Sequence, residues 1–223
     1  MTRYIKRHSL FARIVHGIVG VSTMFLILSG FVVFVPAIAQ WAGTGVVQFL
    51  RLLHRIFAVS FIVAPLVGLI LFPKGFVHIM KNLTARWDDD DKTFMKLFPK
   101  YLFRPKATHM PPQHEVKSGQ RLSDGALLLA SLGIAVSGVV LWAGSYVPPL
   151  VFGLALILHD ICFFGIALIM LVHIYLGAGI FEPYRGLARL MWGDGMVAEG
   201  PARYHWGYWA DEELASGENV IEK

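Results

Sequence analysis

VFGLALILHDICFFGIALIMLVHIYLGAGIF, residues 151–181, is an apolar run with a single charged residue, Asp160. As a helix it is long enough to cross a hydrocarbon layer about 30 Å thick. It carries His159 and His173, 14 residues apart, which corresponds to about 21 Å along a helix and to side-chain directions within roughly 40° of each other. Ionisable side chains at membrane depth are costly and usually functional. The two histidines are therefore the first candidate site residues.

The composition indicates an integral membrane protein. Of 223 residues, 56% are hydrophobic and 16% are charged, whereas a soluble domain has about 25% charged residues. The single cysteine, Cys162, lies inside the last apolar run. This excludes a disulfide framework and a metal site made of clustered thiols.

Four apolar stretches are long enough to span a membrane. We therefore predict an all-α membrane protein with a single domain, residues 1–223, built as a bundle of four transmembrane helices. The predicted spans are residues 10–36, 46–72, 122–146 and 151–181, with a polar loop at 73–121 and a tail at 182–223.

The basic residues predict the orientation. Lysine and arginine concentrate in the N-terminus, the loop 73–121 and the tail, whereas the connections 37–45 and 143–149 contain none. By the positive-inside rule both termini and the long loop are cytoplasmic. We predict a multi-pass protein of the cytoplasmic (inner) membrane, in contact with lipid and without a nucleic-acid partner.

Two further histidines lie within the predicted spans. His16 is near the cytoplasmic start of the first span and His54 is near the outer start of the second. Depth then pairs His54 with His159 on the outer side and His16 with His173 on the inner side. Imidazole is a standard axial ligand of haem iron, so the four residues predict two stacked haem groups. No Cys-x-x-Cys-His sequence is present, so each would be a non-covalent haem b.

Other roles for these histidines stay open. A single histidine in a helix is often only a hydrogen-bonding core residue. Intramembrane histidines also serve proton relays or zinc pathways, and a haem-free transporter is one alternative. A purely structural anchor is another.

Two glycines and three arginines are candidates for flanking the haem groups. The segments LSGFVV and VSGVVL place Gly30 and Gly138 in the outer half of their spans, where a missing side chain lets a flat macrocycle approach the backbone. Small residues that simply allow close helix packing are the alternative. Candidate propionate partners, with interfacial snorkelling as the alternative, are Arg13, Arg51 and Arg55. The acidic run at residues 88–91 is typical of a solvated face.

The chain resembles the cytochrome b556 (gamma) subunit of respiratory formate dehydrogenase over nearly its whole length. The resemblance lies in the four histidines, the 14-residue spacing and Ser137-Gly138 before Trp142. It also includes the sequence KSGQ at 117–120 and the aromatic tail YHWGYW at 204–209. In that family the first and last histidines bind the haem near the cytoplasm and the middle two bind the outer one.

The resemblance implies a membrane anchor within a three-subunit enzyme. A catalytic subunit with molybdenum or tungsten oxidises formate on the outer side, and an iron–sulfur subunit passes electrons through both haems to menaquinone or another quinone. The family's quinone site, an Asn-x-Gly-Gln turn with the last histidine, corresponds here to Gly119, Gln120 and His173. Lys117 stands where asparagine is usual, and the tail retains only His205 of a usual histidine pair.

The b-type cytochrome of a membrane-bound hydrogenase or of another molybdoenzyme is the nearest alternative, because it shares four spans and two haems. We predict no catalytic residue in this chain, since it has no nucleophile motif or phosphate-binding motif. Its predicted role is electron transfer and quinone reduction within an oxidoreductase complex.

Overall fold

The structure is a computed structural model that describes residues 2–180 and 182–223. Its α-helices are α1 Leu10–Phe34, α2 Pro36–Ala42, α3 Thr44–Leu71, α4 Pro73–Thr84, α5 Asp89–Phe103, α6 Ser118–Ala143, α7 Pro149–Gly177, α8 Arg189–Trp192, α9 Glu199–His205 and α10 Gly207–Ser216. Short 3-10 turns cover Pro105–Ala107 and Gly144–Tyr146, and the strands are β1 Arg3–Lys6, β2 Met196–Ala198 and β3 Val220–Glu222.

The chain forms two compact units. The first unit comprises Met1–Arg13, Lys74–Leu129 and Leu168–Lys223, and the second unit comprises Ile14–Pro73 and Ala130–Ala167. Helices α1, α6 and α7 contribute residues to both units.

Four helices have the length and composition of membrane spans, which confirms that the four apolar stretches form candidate transmembrane helices. They are Leu10–Phe34, Thr44–Leu71, Ser118–Tyr146 and Pro149–Gly177. Many large apolar side chains along them are exposed on the isolated chain, such as Leu129, Leu168 and Leu171. Such side chains suit a surface that faces lipid.

Helix α6 begins at Ser118, earlier than the apolar run that begins at Leu122. The side chain of Gln113 explains this start. Its Oε1 accepts a hydrogen bond from the Ser118 backbone N–H at 3.0 Å and lies 2.8 Å from the Ser118 hydroxyl oxygen. An otherwise orphaned donor of the first helical turn is thereby satisfied. The polar residues 118–121 thus form a helical turn that hydropathy assigns to the loop.

Small residues let α6 and α7 approach closely within the second unit. A Cβ atom built on Gly133 would lie 2.7 Å from Sγ of Cys162, nearer than real Cβ contacts come. Only glycine therefore fits there without movement of the neighbouring helix. This close approach brings the Ser137-Gly138 part of α6 alongside His159.

A small sheet in the first unit joins the two ends of the chain. Strand β1 lies in the centre and pairs antiparallel with both β2 and β3, placing Tyr4 opposite Ala198 on one side and Ile221 on the other. The all-α prediction omits this sheet, because strands of three or four residues carry no periodic signal. Its buried core, shared with the aromatic tail, consists of Ile5, Leu190, Val197, Ala202, Trp206, Trp209 and Ala210.

The polar loop 73–121 contains two helices, α4 and α5. The acidic run forms a capping box at the start of α5, in which Asp88 Oδ1 accepts the Asp91 N–H at 2.7 Å and Asp91 Oδ2 accepts the Asp88 N–H at 3.2 Å. The solvated-face prediction is wrong for Asp91, which is only 2% exposed. It is buried because Arg121 and Ser118 donate to its carboxylate, at 2.9 Å and 2.7 Å.

Candidate haem site

His54 and His159 face each other within the second unit. His54 lies on α3 and His159 on α7, and both are half-buried. Their ring centroids are 6.5 Å apart, with the ring planes inclined by 55°. An imidazole nitrogen lies about 2 Å from a metal that it binds, so two rings on opposite sides of one iron have centroids roughly 6 Å apart. The spacing of the two rings fits a bis-histidine haem.

Ser29 fixes which nitrogen of His54 is available to a metal. The Ser29 hydroxyl donates to the backbone carbonyl of Phe25 at 2.6 Å, and its oxygen lies 2.8 Å from Nδ1 of His54. Because the hydroxyl proton is committed to the carbonyl, the Ser29 oxygen accepts and Nδ1–H donates. The Nε2 lone pair is then free to bind iron, as in metal sites where the other ring nitrogen is held by a partner.

Ser137 repeats this arrangement at His159. Its hydroxyl donates to the carbonyl of Gly133 at 2.7 Å, and its oxygen lies 3.1 Å from Nδ1 of His159. Because this hydroxyl proton is also committed, the Ser137 oxygen accepts and Nδ1–H of His159 donates. Nε2 of His159 then carries the free lone pair. Both imidazoles are therefore in the same tautomer, which leaves Nε2 of each ring free for a metal.

Gly30 and Gly138 lie directly against the two imidazoles. A Cβ atom on Gly30 would be 3.6 Å from Cε1 of His54, and one on Gly138 would be 3.3 Å from Cε1 of His159. At each ring the serine holds Nδ1 and the glycine lies beside it; an added Cβ atom would be tight at Gly138 and in ordinary van der Waals contact at Gly30. That these glycines flank a haem stays a prediction. The serines were not predicted, although the repeated Ser-Gly in LSGFVV and VSGVVL was the available signal.

Residues 7–194 match the family described as prokaryotic cytochrome b561. The chain belongs to this family. The match covers all four predicted haem ligands and both Ser-Gly pairs. Family members bind b-type haem, so the chain is a multi-pass membrane cytochrome b that transfers electrons. No curated protein is similar enough to the chain to match it.

His16 and His173 are placed on α1 and α7, but in different units. His16 belongs to the second unit and is half-buried, whereas His173 belongs to the first unit and is exposed on the isolated chain. Their pairing around an inner haem stays a prediction.

The three arginines predicted as propionate partners differ in their surroundings. Arg13 donates to the backbone carbonyl of Gly193, and Arg55 lies 5.6 Å from the ring centre of Trp142. Arg51 and Arg55 are exposed. The roles of these arginines toward a haem stay predictions.

The predicted quinone residues lie in the first unit. Gly119 packs against α5, since a Cβ atom on it would be 3.2 Å from Cε1 of Phe94. Gln120 is exposed and hydrogen-bonds to Asp124, a carboxylate one turn further along α6 that the sequence analysis did not single out. Lys117, by contrast, is buried and contacts His205.

We expect the double variant Ser29→Ala/Ser137→Ala to hold haem less tightly by roughly 10- to 100-fold, because loss of such supporting hydrogen bonds typically has this effect. Haem b per chain after dilution, and the redox midpoint potential, measure the change. Ser60→Ala is the matched control, since the Ser60 hydroxyl also donates to a carbonyl one turn back, that of Ile56, at 3.3 Å. Retention and potential equal to those of the control would exclude the role of the serines.

Proposed function

We propose that the chain is the di-haem cytochrome b subunit that anchors a formate dehydrogenase complex in the cytoplasmic membrane. Electrons would pass from an iron–sulfur subunit through an outer and an inner haem to menaquinone or a related quinone. The observation that carries the electron-transfer part is the opposed pair His54 and His159, 6.5 Å apart at their ring centroids. Formate as the donor rests on the resemblance of the KSGQ segment and the aromatic tail.

The residues of this chain have three tasks in the proposal. Nε2 atoms of His54 and His159 bind the outer iron, Ser29 and Ser137 hold the rings, and His16 and His173 bind the inner iron. When bound, each haem supplies a site that gains and loses one electron. Because such sites would lie at two depths, the charge crosses the membrane in two short steps rather than one long step.

The direction of charge movement determines whether turnover stores energy as a membrane potential. With the termini and the loop 73–121 on the cytoplasmic side, electrons moving inward meet protons taken from the cytoplasm at the quinone. Moving one charge through 100 mV is worth about 2.3 kcal/mol. Turnover would therefore build the membrane potential.

Purifying the native complex and identifying its companion subunits tests the proposal. We expect a molybdenum- or tungsten-containing subunit, an iron–sulfur subunit, and reduction of the haem b absorption bands on addition of formate. A nickel-containing companion, with reduction by hydrogen and not by formate, would instead assign the chain to a membrane-bound hydrogenase. A preparation without haem would contradict the electron-transfer role itself and favour a transporter.

A further inference from the structure

Lys117 is a buried amine in the first unit without a carboxylate partner among the described residues. It is 8% exposed, and its Nζ lies 2.8 Å from Nδ1 of His205. Its other close neighbours are aromatic faces, with the ring centres of Tyr184 at 4.9 Å and Trp206 at 5.1 Å. A charged lysine normally enters a protein interior only with a paired anion. The site therefore holds an amine whose charge is only weakly compensated.

The hydrogen bonds of His205 define its protonation. Its Nε2 lies 3.1 Å from the backbone carbonyl of Pro183, which can only accept, so Nε2 carries the hydrogen. Nδ1 is then the acceptor for the amine of Lys117. Burial, followed by the nearby Lys117 charge, lowers the pKa of His205 to about 3. The imidazole is thus neutral, and the exchangeable proton of the pair belongs to Lys117.

The charges that face Lys117 favour loss of that proton near neutral pH. Burial, with Arg7 as the second cause, lowers the pKa of Lys117 to about 7. Arg7 itself stacks on Trp206 and Trp209, and burial lowers its pKa to about 10 against the raising effects of Glu115 and Glu213. Two phenols also contact the pair through His205: Tyr184, which stacks on its ring at 4.7 Å, and Tyr204 at 5.0 Å.

A small cavity lies beside Tyr184, one of the aromatic neighbours of Lys117. It has room for about one water molecule. Tyr101, Tyr184 and the exposed Glu182 are among its lining residues. Tyr184 thus lines the cavity together with an exposed carboxylate and also stacks on His205.

We propose that the Lys117–His205 pair relays protons to a quinone bound at the Gly119–Gln120 turn, which Lys117 immediately precedes. This inference rests on the proposed function. It also explains why the two departures from the formate dehydrogenase pattern, lysine for asparagine and a single tail histidine, contact each other across 88 residues of sequence.

Reduction of a quinone to its quinol requires two electrons, supplied through the haems, and two protons. For each relayed proton, an N–H bond of the Lys117 ammonium breaks and an O–H bond forms on the quinone, directly or through Gln120 or water. The neutral amine that remains is reprotonated from cytoplasmic water. Lys117 is thus a residue that supplies protons, while the electrons come from elsewhere.

The test uses the full-length, haem-loaded chain in lipid nanodiscs, reduced with dithionite and mixed with one of two oxidants. A soluble naphthoquinone needs electrons and protons, whereas ferricyanide needs electrons only. In the wild type we expect reoxidation by naphthoquinone to slow as the pH rises through about 7, where Lys117 loses its proton. Reoxidation by ferricyanide is expected to be independent of pH in this range.

Lys117→Met is expected to slow naphthoquinone reoxidation by roughly 10²-fold, the usual contribution of a placed proton donor, and to leave ferricyanide reoxidation within about twofold. Lys117→Arg retains the cation in its aromatic surroundings. Its reoxidation by naphthoquinone should nevertheless be as slow as that of Lys117→Met, because a guanidinium does not release its proton at this pH. Lys92→Met, at an exposed lysine of α5, is the control and should behave as the wild type.

A second readout does not depend on turnover. Trp206 fluorescence in the oxidised protein should change with a midpoint near pH 7 as Lys117 titrates beside the ring. Lys117→Met should abolish this transition. His205→Phe, which removes the acceptor for the ammonium, should move it to lower pH by about one unit.

Two outcomes would overturn the inference alone. One is Lys117→Arg with the wild-type naphthoquinone rate and pH profile, and the other is a Trp206 transition that persists in Lys117→Met. If Lys117→Met loses haem, the naphthoquinone rate of Lys117→Arg and the Trp206 titration test the inference instead. Wild-type haems that ferricyanide oxidises but naphthoquinone does not would contradict quinone reduction, and with it the proposed function.

Discussion

Replacing both His54 and His159 with alanine is expected to remove one haem b per chain and to leave the other in place. The two ring centroids are 6.5 Å apart, as expected for two ligands of one iron, so the double variant should lose no more haem than either single variant. A pyridine haemochrome assay of the purified chain measures the change, from two haems to one. Optical spectra of the remaining haem should be unaltered.

The pairing of the four histidines is tested by a second double variant. His16→Ala/His159→Ala removes one ligand from each proposed layer, so both haems should be lost. If His54 and His159 served different haems, their joint replacement would remove both instead of one. His109→Ala, at an exposed histidine outside the spans, is the control and should retain two haems.

Asp91→Ala is expected to destabilise the first unit by about 3–5 kcal/mol, the usual result of removing one partner of a buried ion pair. The side chains of Asp91 and Arg121 are only 2% and 4% exposed, with Oδ2 and Nη1 2.9 Å apart. The variant would leave the guanidinium buried without its anion and would remove the acceptor of the Ser118 hydroxyl. Thermal unfolding in detergent, with limited proteolysis between α5 and α6, measures the loss.

Asp89→Ala provides a matched control in the same helical turn. Asp89 pairs with Lys92 at 2.8 Å, but its side chain is 97% exposed. Exposed pairs contribute about 0–1 kcal/mol. Equal unfolding temperatures for the Asp91 and Asp89 variants would show that the buried pair does not hold α5 against the start of α6.

The spans and their histidines were predictable because they depend on composition and local period. An apolar run of membrane length remains a helix whatever it packs against, and the predicted ends differ from the structure by only a few residues. The start of α6 and the end of α7 each differ by four residues, and α6 starts early because the Gln113 side chain that caps it lies outside the apolar run. Hydropathy contains no information about such a cap.

Features that depend on distant partners could not be predicted from the sequence. The sheet pairs β1 with β3 from the opposite end of the chain. The contact between Lys117 and His205 likewise joins residues that are far apart in the sequence. Ser29 and Ser137 were visible as a repeat, but their role depends on the ring that each one faces. The burial of Asp91 could not be predicted either, because it depends on the contact with Arg121, 30 residues later in the chain.

An electron cryomicroscopy map of the haem-loaded chain would test the paired-histidine arrangement most directly. We expect a flat density between α3 and α7, with iron bonded to Nε2 of His54 on one side and Nε2 of His159 on the other, and each Nδ1 facing its serine. A map with no iron between these two rings, or with His54 and His159 bound to different irons, would contradict it.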